Sequence, residues 1–544
     1  MCAEFDPEGE SLRKTRSVAE VNGETGGRTS RRSFSVGLTE SWRRLRLALV
    51  SPSLVKSAIW TFSAKGFSQL AQLVAFIVAA WVLSSAEFGL FAYSAAFAVL
   101  LVIFAEGGWG EFVMKTQSDP DRLDQVASVS ILAGLLSMTL GLCGAAVIGL
   151  YFGRNQEAVL VALFSIWLLP ASLVVVYEGI MIAAGRLRAH AAIRIVADAC
   201  GLGVTVAGLL AGWGVFALVA GRLAMQVMML AACMAVVRWF PRPRLTRPLL
   251  GELLEFSCHI VSNRLIIFVR SYSGTLAVGS FLGLAEAGYY RAAERIVAAF
   301  SEMIGEPVRM LGWVVLRRVA NLSGPDRGIS KEIGTAATGF IVCAMAVSVP
   351  VYVGLALMSG SLVHIVLGDA WAPAAILVTL LSVKQILLVP GYLTEPLLSL
   401  SGTIRKMPPA IVTNSAFSLL FILALAPFGM LAAAIGQCAA AVLSFIINVR
   451  LQSRYGAADW AGVLRRCVHP LFSVAAMVVV VALIGDIADA SATSGLAVNA
   501  LQVLMGSSVY VVTLATLQRL SGNSTPIFAF AHRPTWQHQS REPA

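Results

Sequence analysis

Lys65, Arg264 and Arg270 stand inside long apolar runs, as do Arg222 and Lys384. A charge held at membrane depth costs about 2.5–3.5 kcal/mol on insertion scales, so it marks a function or a partner. Further along, Arg291, Arg295, Glu302, Glu306 and Arg309 follow at spacings of 4, 7, 4 and 3, which sets all five on one face of an α-helix. The chemistry open to this set is binding rather than bond making. Arg grips an anion as a fork and Lys as a point charge, and the excess of these cations over nearby acids favours an anionic ligand. Glu302, Glu306 and Asp198 are the acids able to carry a coupling proton. Some of the charges have close partners of their own: Glu306 with Arg309 and Arg291 with Glu294 at i,i+3, and Arg194 with Asp198 at i,i+4. Arg295 has none so near, which makes it the better anion ligand.

Other chemistries find no footing. The eight cysteines are scattered with no Cys-x-x-Cys pair or metal-ligand spacing, and read as small packing residues. The six histidines are dispersed, His259 and His364 reading as satisfied or solvated side chains. There is no phosphate-cradling Gly-x-x-x-x-Gly-Lys and no His-Glu-x-x-His. The expectation is no catalytic residue, no metal and no cofactor.

The elements that must position these charges are membrane helices. With 57% hydrophobic and 13% charged residues, the chain is far outside the range of a soluble protein of 544 residues. A membrane helix needs about 20 apolar residues. Roughly fourteen such stretches can be counted, near 54–83, 88–112, 126–151, 158–183, 191–211, 214–237, 254–282, 288–315, 334–358, 373–398, 409–426, 429–449, 470–488 and 496–517. Lys65 and Arg264 lie about eleven residues into their helices, or about 16 Å deep. Pro307 predicts a kink in the eighth helix. Basic residues crowd the segment before the first helix and every second loop after it, whereas the alternate loops hold only Arg154. That asymmetry predicts a multi-pass protein with both termini cytoplasmic. The net charge of +11 is therefore mostly topological and gives no argument for nucleic acid. The Ser30-Arg31-Arg32 stretch lacks the apolar region and cleavage site of an export signal; residues 1–53 read as a disordered basic tail.

An internal repeat organises the helices. Ala86-Glu87-x-Gly89 recurs as Ala285-Glu286-x-Gly288 at a spacing of 199, and the same spacing carries Lys65 onto Arg264. Later matches, Gly153 with Gly368 and Gly214 with Gly429, fall at 215, and Glu178 with Glu395 at 217. The unit is six helices, an even number, so both copies enter the membrane from one side. The architecture expected is all-α and polytopic: a six-helix lobe at 54–250, a second at 251–455 related by a pseudo-twofold axis, a terminal helix pair at 456–520, and a cytoplasmic tail at 521–544. Parallel repeats of this kind are a transporter architecture with the substrate between the halves. Glu87 and Glu286 are expected to favour the positive ends of the returning helices, and the glycines to permit tight turns.

Three segments carry a family resemblance: Leu83-Ser84-Ser85-Ala86-Glu87-Phe88-Gly89-Leu90-Phe91, Glu106-Gly107-Gly108-Trp109-Gly110, and Val366-Leu367-Gly368-Asp369-x-Trp371. Together with the long first helix they resemble the polysaccharide transport family, of the multidrug, oligosaccharidyl-lipid and polysaccharide exporter superfamily, over roughly residues 54 to 450. The resemblance implies a flippase of the bacterial inner membrane that moves polyprenyl-diphosphate-linked oligosaccharide for lipopolysaccharide or exopolysaccharide assembly, beside polysaccharide polymerase and glycosyltransferase machinery. It implies no enzyme. A glycan diphosphate needs a polar, cationic path while its prenyl tail stays in membrane lipid, and Lys65, Arg264, Arg270, Arg291 and Arg295 are the residues expected to line it. A cation-coupled multidrug exporter and a peptidoglycan-precursor flippase share the superfamily. Against the former, residues 54–83 contain Lys65 and no Asp or Glu. An integral-membrane polymerase or ligase would need a large external loop, and the longest here, 359–373, has about fifteen residues.

Overall fold

Inside lipid each backbone N–H and C=O must find its partner within the chain, which leaves an apolar sequence of this kind the helix. The computed structural model describes residues 52–116, 120–244, 246–322, 329–490 and 496–520, and all regular structure among them is helical. The tails before residue 52 and after residue 520 lie outside the described residues, and with them the expectations placed on the tails. The long helices are α1 (Pro52–Val82), α2 (Ser85–Glu106), α3 (Pro120–Phe152), α4 (Asn155–Ala183), α5 (Leu187–Leu210), α6 (Phe216–Val237), α7 (Arg247–Phe281), α8 (Leu284–Leu322), α9 (Ile329–Leu357), α10 (Ala374–Leu388), α11 (Met407–Leu425), α12 (Met430–Tyr455), α13 (Trp460–Ala490) and α14 (Leu496–Leu520). After α10 a 3-10 turn at Val389–Leu393 is followed by a short helix, Thr394–Leu400, that completes its span. All fourteen expected stretches fall on these helices.

Twelve of the described helices are long and apolar enough to cross a membrane by length and composition alone. The two long helices outside that group are α7 and α8. They carry Arg264, Arg270 and the stripe from Arg291 to Arg309, so the helices that look least like membrane spans are those bearing the candidate site. α8 runs through Pro307 as one continuous helix.

The same neighbour pattern appears in both halves, as the repeat requires. α2 packs on α4 and α4 on α6, with α3 against α4 and α5 against α6. Six helices later α8 packs on α10 and α10 on α12, with α9 against α10 and α11 against α12. The terminal pair α13 and α14 pack together, with α13 on α9. The two halves meet along α2 and α8, and the largest apolar cluster draws Phe76 and Phe88 from one and Tyr290, Ala293 and Trp371 from the other.

The repeated Ala-Glu-x-Gly segments supply that junction. Ser84 caps α2 with a capping box: its hydroxyl accepts from Glu87 N while the Glu87 carboxylate accepts from Ser84 N at 2.9 Å. Gly89 and Gly288 are not in turns, contrary to expectation; both lie buried inside helices. A Cβ on Gly89 would lie 1.7 Å from Leu284 O, and one on Gly288 would lie 2.0 Å from Ser85 O. Leu284 stands 199 residues after Ser85, as Gly288 does after Gly89. One contact is thus made twice, reciprocally, as a twofold axis demands, and only glycine allows backbones this close.

Candidate functional site

Arg264 projects from α7 to two carboxylates of the other half. Its Nη1 donates to Glu106 Oε2 at 2.8 Å and its Nη2 to Glu111 Oε1 at 2.7 Å. Five residues apart in one continuous helix, these glutamates would point about 140° away from each other. The chain avoids this by breaking after Glu106. Gly107 and Gly108 adopt φ of 47° and 84°, in the left-handed region that favours glycine. A short helix, Trp109–Thr116, then starts afresh and carries Glu111 back to the same guanidinium. The Trp109 indole, buried, donates to Ala105 O at 2.9 Å and ties the two pieces together.

Lys65 has the equivalent arrangement. Its Nζ lies 3.7 Å from the Glu306 carboxylate of α8, which also takes Arg309 at 2.7 Å. Lys65 and Arg264 are 199 residues apart and Glu106 and Glu306 are 200 apart, so each half's first-helix cation meets a carboxylate late in the other half's second helix. The structure carries the two cations to opposite carboxylates rather than to a shared centre. The two junctions differ in charge: one guanidinium serves two carboxylates at Arg264, and one carboxylate serves two cations at Glu306. Around Arg264 the expected excess of cations is therefore reversed. Lys65, Glu306 and Arg309 are all about half exposed or more.

The α8 stripe, set on one face by its spacing, reaches α1 through Lys65 and Gln72 and α7 through Ser271 and Tyr272. Arg295 Nη2 donates to Gln72 Oε1 of α1 at 3.1 Å, a neutral partner that leaves its charge available. Arg291 is committed internally: it pairs with Glu294 at 3.2 Å, reaches Ser271 O at 3.4 Å and lies over the Tyr272 ring at 4.7 Å. Glu294 also accepts from Thr275 at 3.2 Å and from Gln437 at 3.3 Å, and Lys384 donates to Gln437. Arg270 and Glu302 are exposed on α7 and α8. Asp198 is buried on α5, 3.8 Å from Arg194, which in turn reaches Glu178 of α4 at 3.4 Å beside His190 at 3.1 Å. Asp198 thus belongs to a cluster on α4 and α5, with none of these contacts reaching the α8 stripe. Arg222 stacks over the Trp167 ring at 4.5 Å.

Glu106 and Glu111 are the participants that sequence reasoning missed. Their signal in the sequence is two acids in an apolar run flanking a Gly-Gly pair, of which only Glu106 falls within the family motif. The third motif also gains a physical role. Trp371, buried, donates to Ala80 O at 2.9 Å and sets its ring edge-on to Phe88 at 5.6 Å and Tyr289 at 5.9 Å. Trp81 returns a bond to Val366 O at 2.8 Å. Near the α1–α2 turn the two halves are therefore sealed by indoles and glycine backbones.

A family model described as polysaccharide biosynthesis protein matches residues 78–376. The succinoglycan biosynthesis transport protein ExoT of Rhizobium meliloti (strain 1021) is 23% identical over 343 residues, 62% of this chain and 67% of that protein. Among solved structures, lipid II flippase MurJ in an inward closed conformation superposes with a TM-score of 0.65 at 14% identity, covering 85% of this chain and 99% of that one. An inward-facing multidrug resistance MATE family transporter of the MOP superfamily gives 0.55 at 14% identity, covering 73% and 98%. The last two likenesses establish the fold.

Proposed function

The chain belongs to the polysaccharide biosynthesis protein family, and from that premise we propose that it is a flippase carrying polyprenyl-diphosphate-linked oligosaccharide across the bacterial inner membrane, with both termini cytoplasmic. It works by alternating access of its two lobes and makes or breaks no covalent bond. The observation that carries this reading is the presence of cations on the first helix of each lobe, Lys65 on α1, largely exposed, and Arg264 on α7, partly buried, with Arg295 of α8 bonded to Gln72 on the same helix as Lys65. Ions at membrane depth need a polar lining and a ligand of opposite sign, and a diphosphate on an apolar tail supplies that sign. Arg270 adds charge to the same helix as Arg264. Glu302, exposed on the stripe, and Glu306 are the acids assigned to coupling with an ion gradient. That ExoT is a transport protein of succinoglycan biosynthesis by name supports an exopolysaccharide intermediate as cargo.

The test is translocation of a lipid-linked oligosaccharide in proteoliposomes, read by access of an external glycosidase. Lys65→Gln and Arg264→Gln should each lower the rate at matched protein abundance, and Lys65→Arg should retain much of it. Unchanged transport in the double Gln variant would remove both residues from the substrate path.

A further inference from the structure

The two lobes are fastened at two places by different chemistry. Near the α1–α2 turn the fastening is backbone against backbone at Gly89 and Gly288, with Trp371 alongside. Seventeen residues further along α2, about 25 Å at helical rise, it is ionic: Lys65 with Glu306, and Arg264 with Glu106 and Glu111. Only the second fastening can be undone by a charged ligand, and its cations are those assigned to the substrate.

We propose that Glu106, Glu111 and Glu306 are internal counter-ions that compete with the substrate diphosphate for Lys65 and Arg264, so that binding of cargo unfastens the lobes at this end. The inference rests on the flippase reading above. In the empty chain each cation is held by a carboxylate of the opposite lobe, and the pairs stabilise the fastened state. Phosphate oxygens that take over these cations leave the carboxylates without partners, and the fastened state loses its ionic cross-links. A ligand shifts a conformational equilibrium only through differential affinity for its two states, and here the difference is the set of ion pairs present in one and absent in the other. The empty carrier is therefore biased toward the fastened state, and the loaded one is biased away from it. The break at Gly107-Gly108 belongs to the device, because it brings the second carboxylate to Arg264. The junction at Lys65 is the looser, at 3.7 Å and largely exposed, and is the first to yield.

The experiment uses purified full-length protein with polyprenyl diphosphate as the probe. Spin labels at Leu70 of α1 and Met303 of α8, both exposed, report the separation of the lobes in a background without other reactive thiols. Polyprenyl diphosphate should lengthen the distance in the otherwise unaltered protein. Glu306→Gln, and separately Glu106→Gln with Glu111→Gln, should lengthen it without ligand and tighten binding of the probe by about fivefold, the scale of one partly exposed ion pair. Probe binding with normal lobe response, but no change of distance or affinity in either set of variants, overturns the counter-ion role alone. A lengthened distance in the Gln variants, with no binding of polyprenyl diphosphate by any form, overturns the substrate reading and leaves the ionic fastening standing.

Discussion

Arg291 and Arg295 sit one turn apart on α8 and have opposite prospects. Arg291 is locked into Glu294, which is only 13% exposed and gathers bonds from α7 and α12. Removing the guanidinium would leave that carboxylate short of its closest cation, a loss of about 1–3 kcal/mol. Arg295 donates to the neutral Gln72, and the acid that interacts with it, Glu302, is exposed, so its removal leaves no buried carboxylate unpaired. Arg291→Gln should therefore lower the melting temperature and the amount of protein in the membrane. Arg295→Gln should leave both near normal and weaken binding of polyprenyl diphosphate. Thermal melts beside binding isotherms for the two variants separate these outcomes, and equal losses of stability would refute the division. Periodicity placed both residues on one face correctly. It could not tell them apart, because the partners that decide their roles come from α7, α12 and α1, far away in sequence.

At the scale of elements, the helices were legible and their interruptions were not. Fourteen apolar runs became fourteen long helices, twelve of them apolar enough to cross a membrane, because lipid forces backbone pairing within each run. The break at Gly107-Gly108 left no trace in hydropathy, since Trp109, Phe112 and Val113 keep the segment apolar. The pairing of Arg264 with Glu106 and Glu111 joins residues 158 and 153 positions apart, and no local pattern encodes such a contact. The repeat offset identified Lys65 and Arg264 as equivalents, but equivalence does not say that each crosses to the other lobe. The break is itself testable. In Gly107→Ala the alanine would be held at a left-handed φ with its Cβ 2.3 Å from the Trp109 ring, a strain of about 1–3 kcal/mol. The short helix should turn, Glu111 should leave Arg264, and transport should fall when compared at matched protein abundance. A variant with unaltered transport would show that the exact setting of Glu111 does not matter.

For the whole molecule, the reciprocal contact of Gly89 with Gly288 makes a demand on both lobes at once. Each backbone occupies the space of the other's missing Cβ, so the lobes close at the α1–α2 end only while both positions are glycine. Because one twofold relation generates the two contacts, substitution at either site should push the lobes apart in the same sense. Gly89→Val and Gly288→Val should then favour the state open at that end, which the basic-loop topology assigns to the periplasm. Ser280 reports on the opening, since its hydroxyl is bonded to Tyr93 across the junction at 2.9 Å. A cysteine placed there, in a background otherwise free of reactive thiols, should react with a membrane-impermeant maleimide added from outside faster in both Val variants than in their parent. The same reagent added from the cytoplasmic side of inverted vesicles should show no such gain. Acceleration from the cytoplasmic side alone would invert the assigned orientation. Acceleration in only one of the two variants would mean that the lobes do not move as related halves, and the rocking mechanism would lose its structural basis.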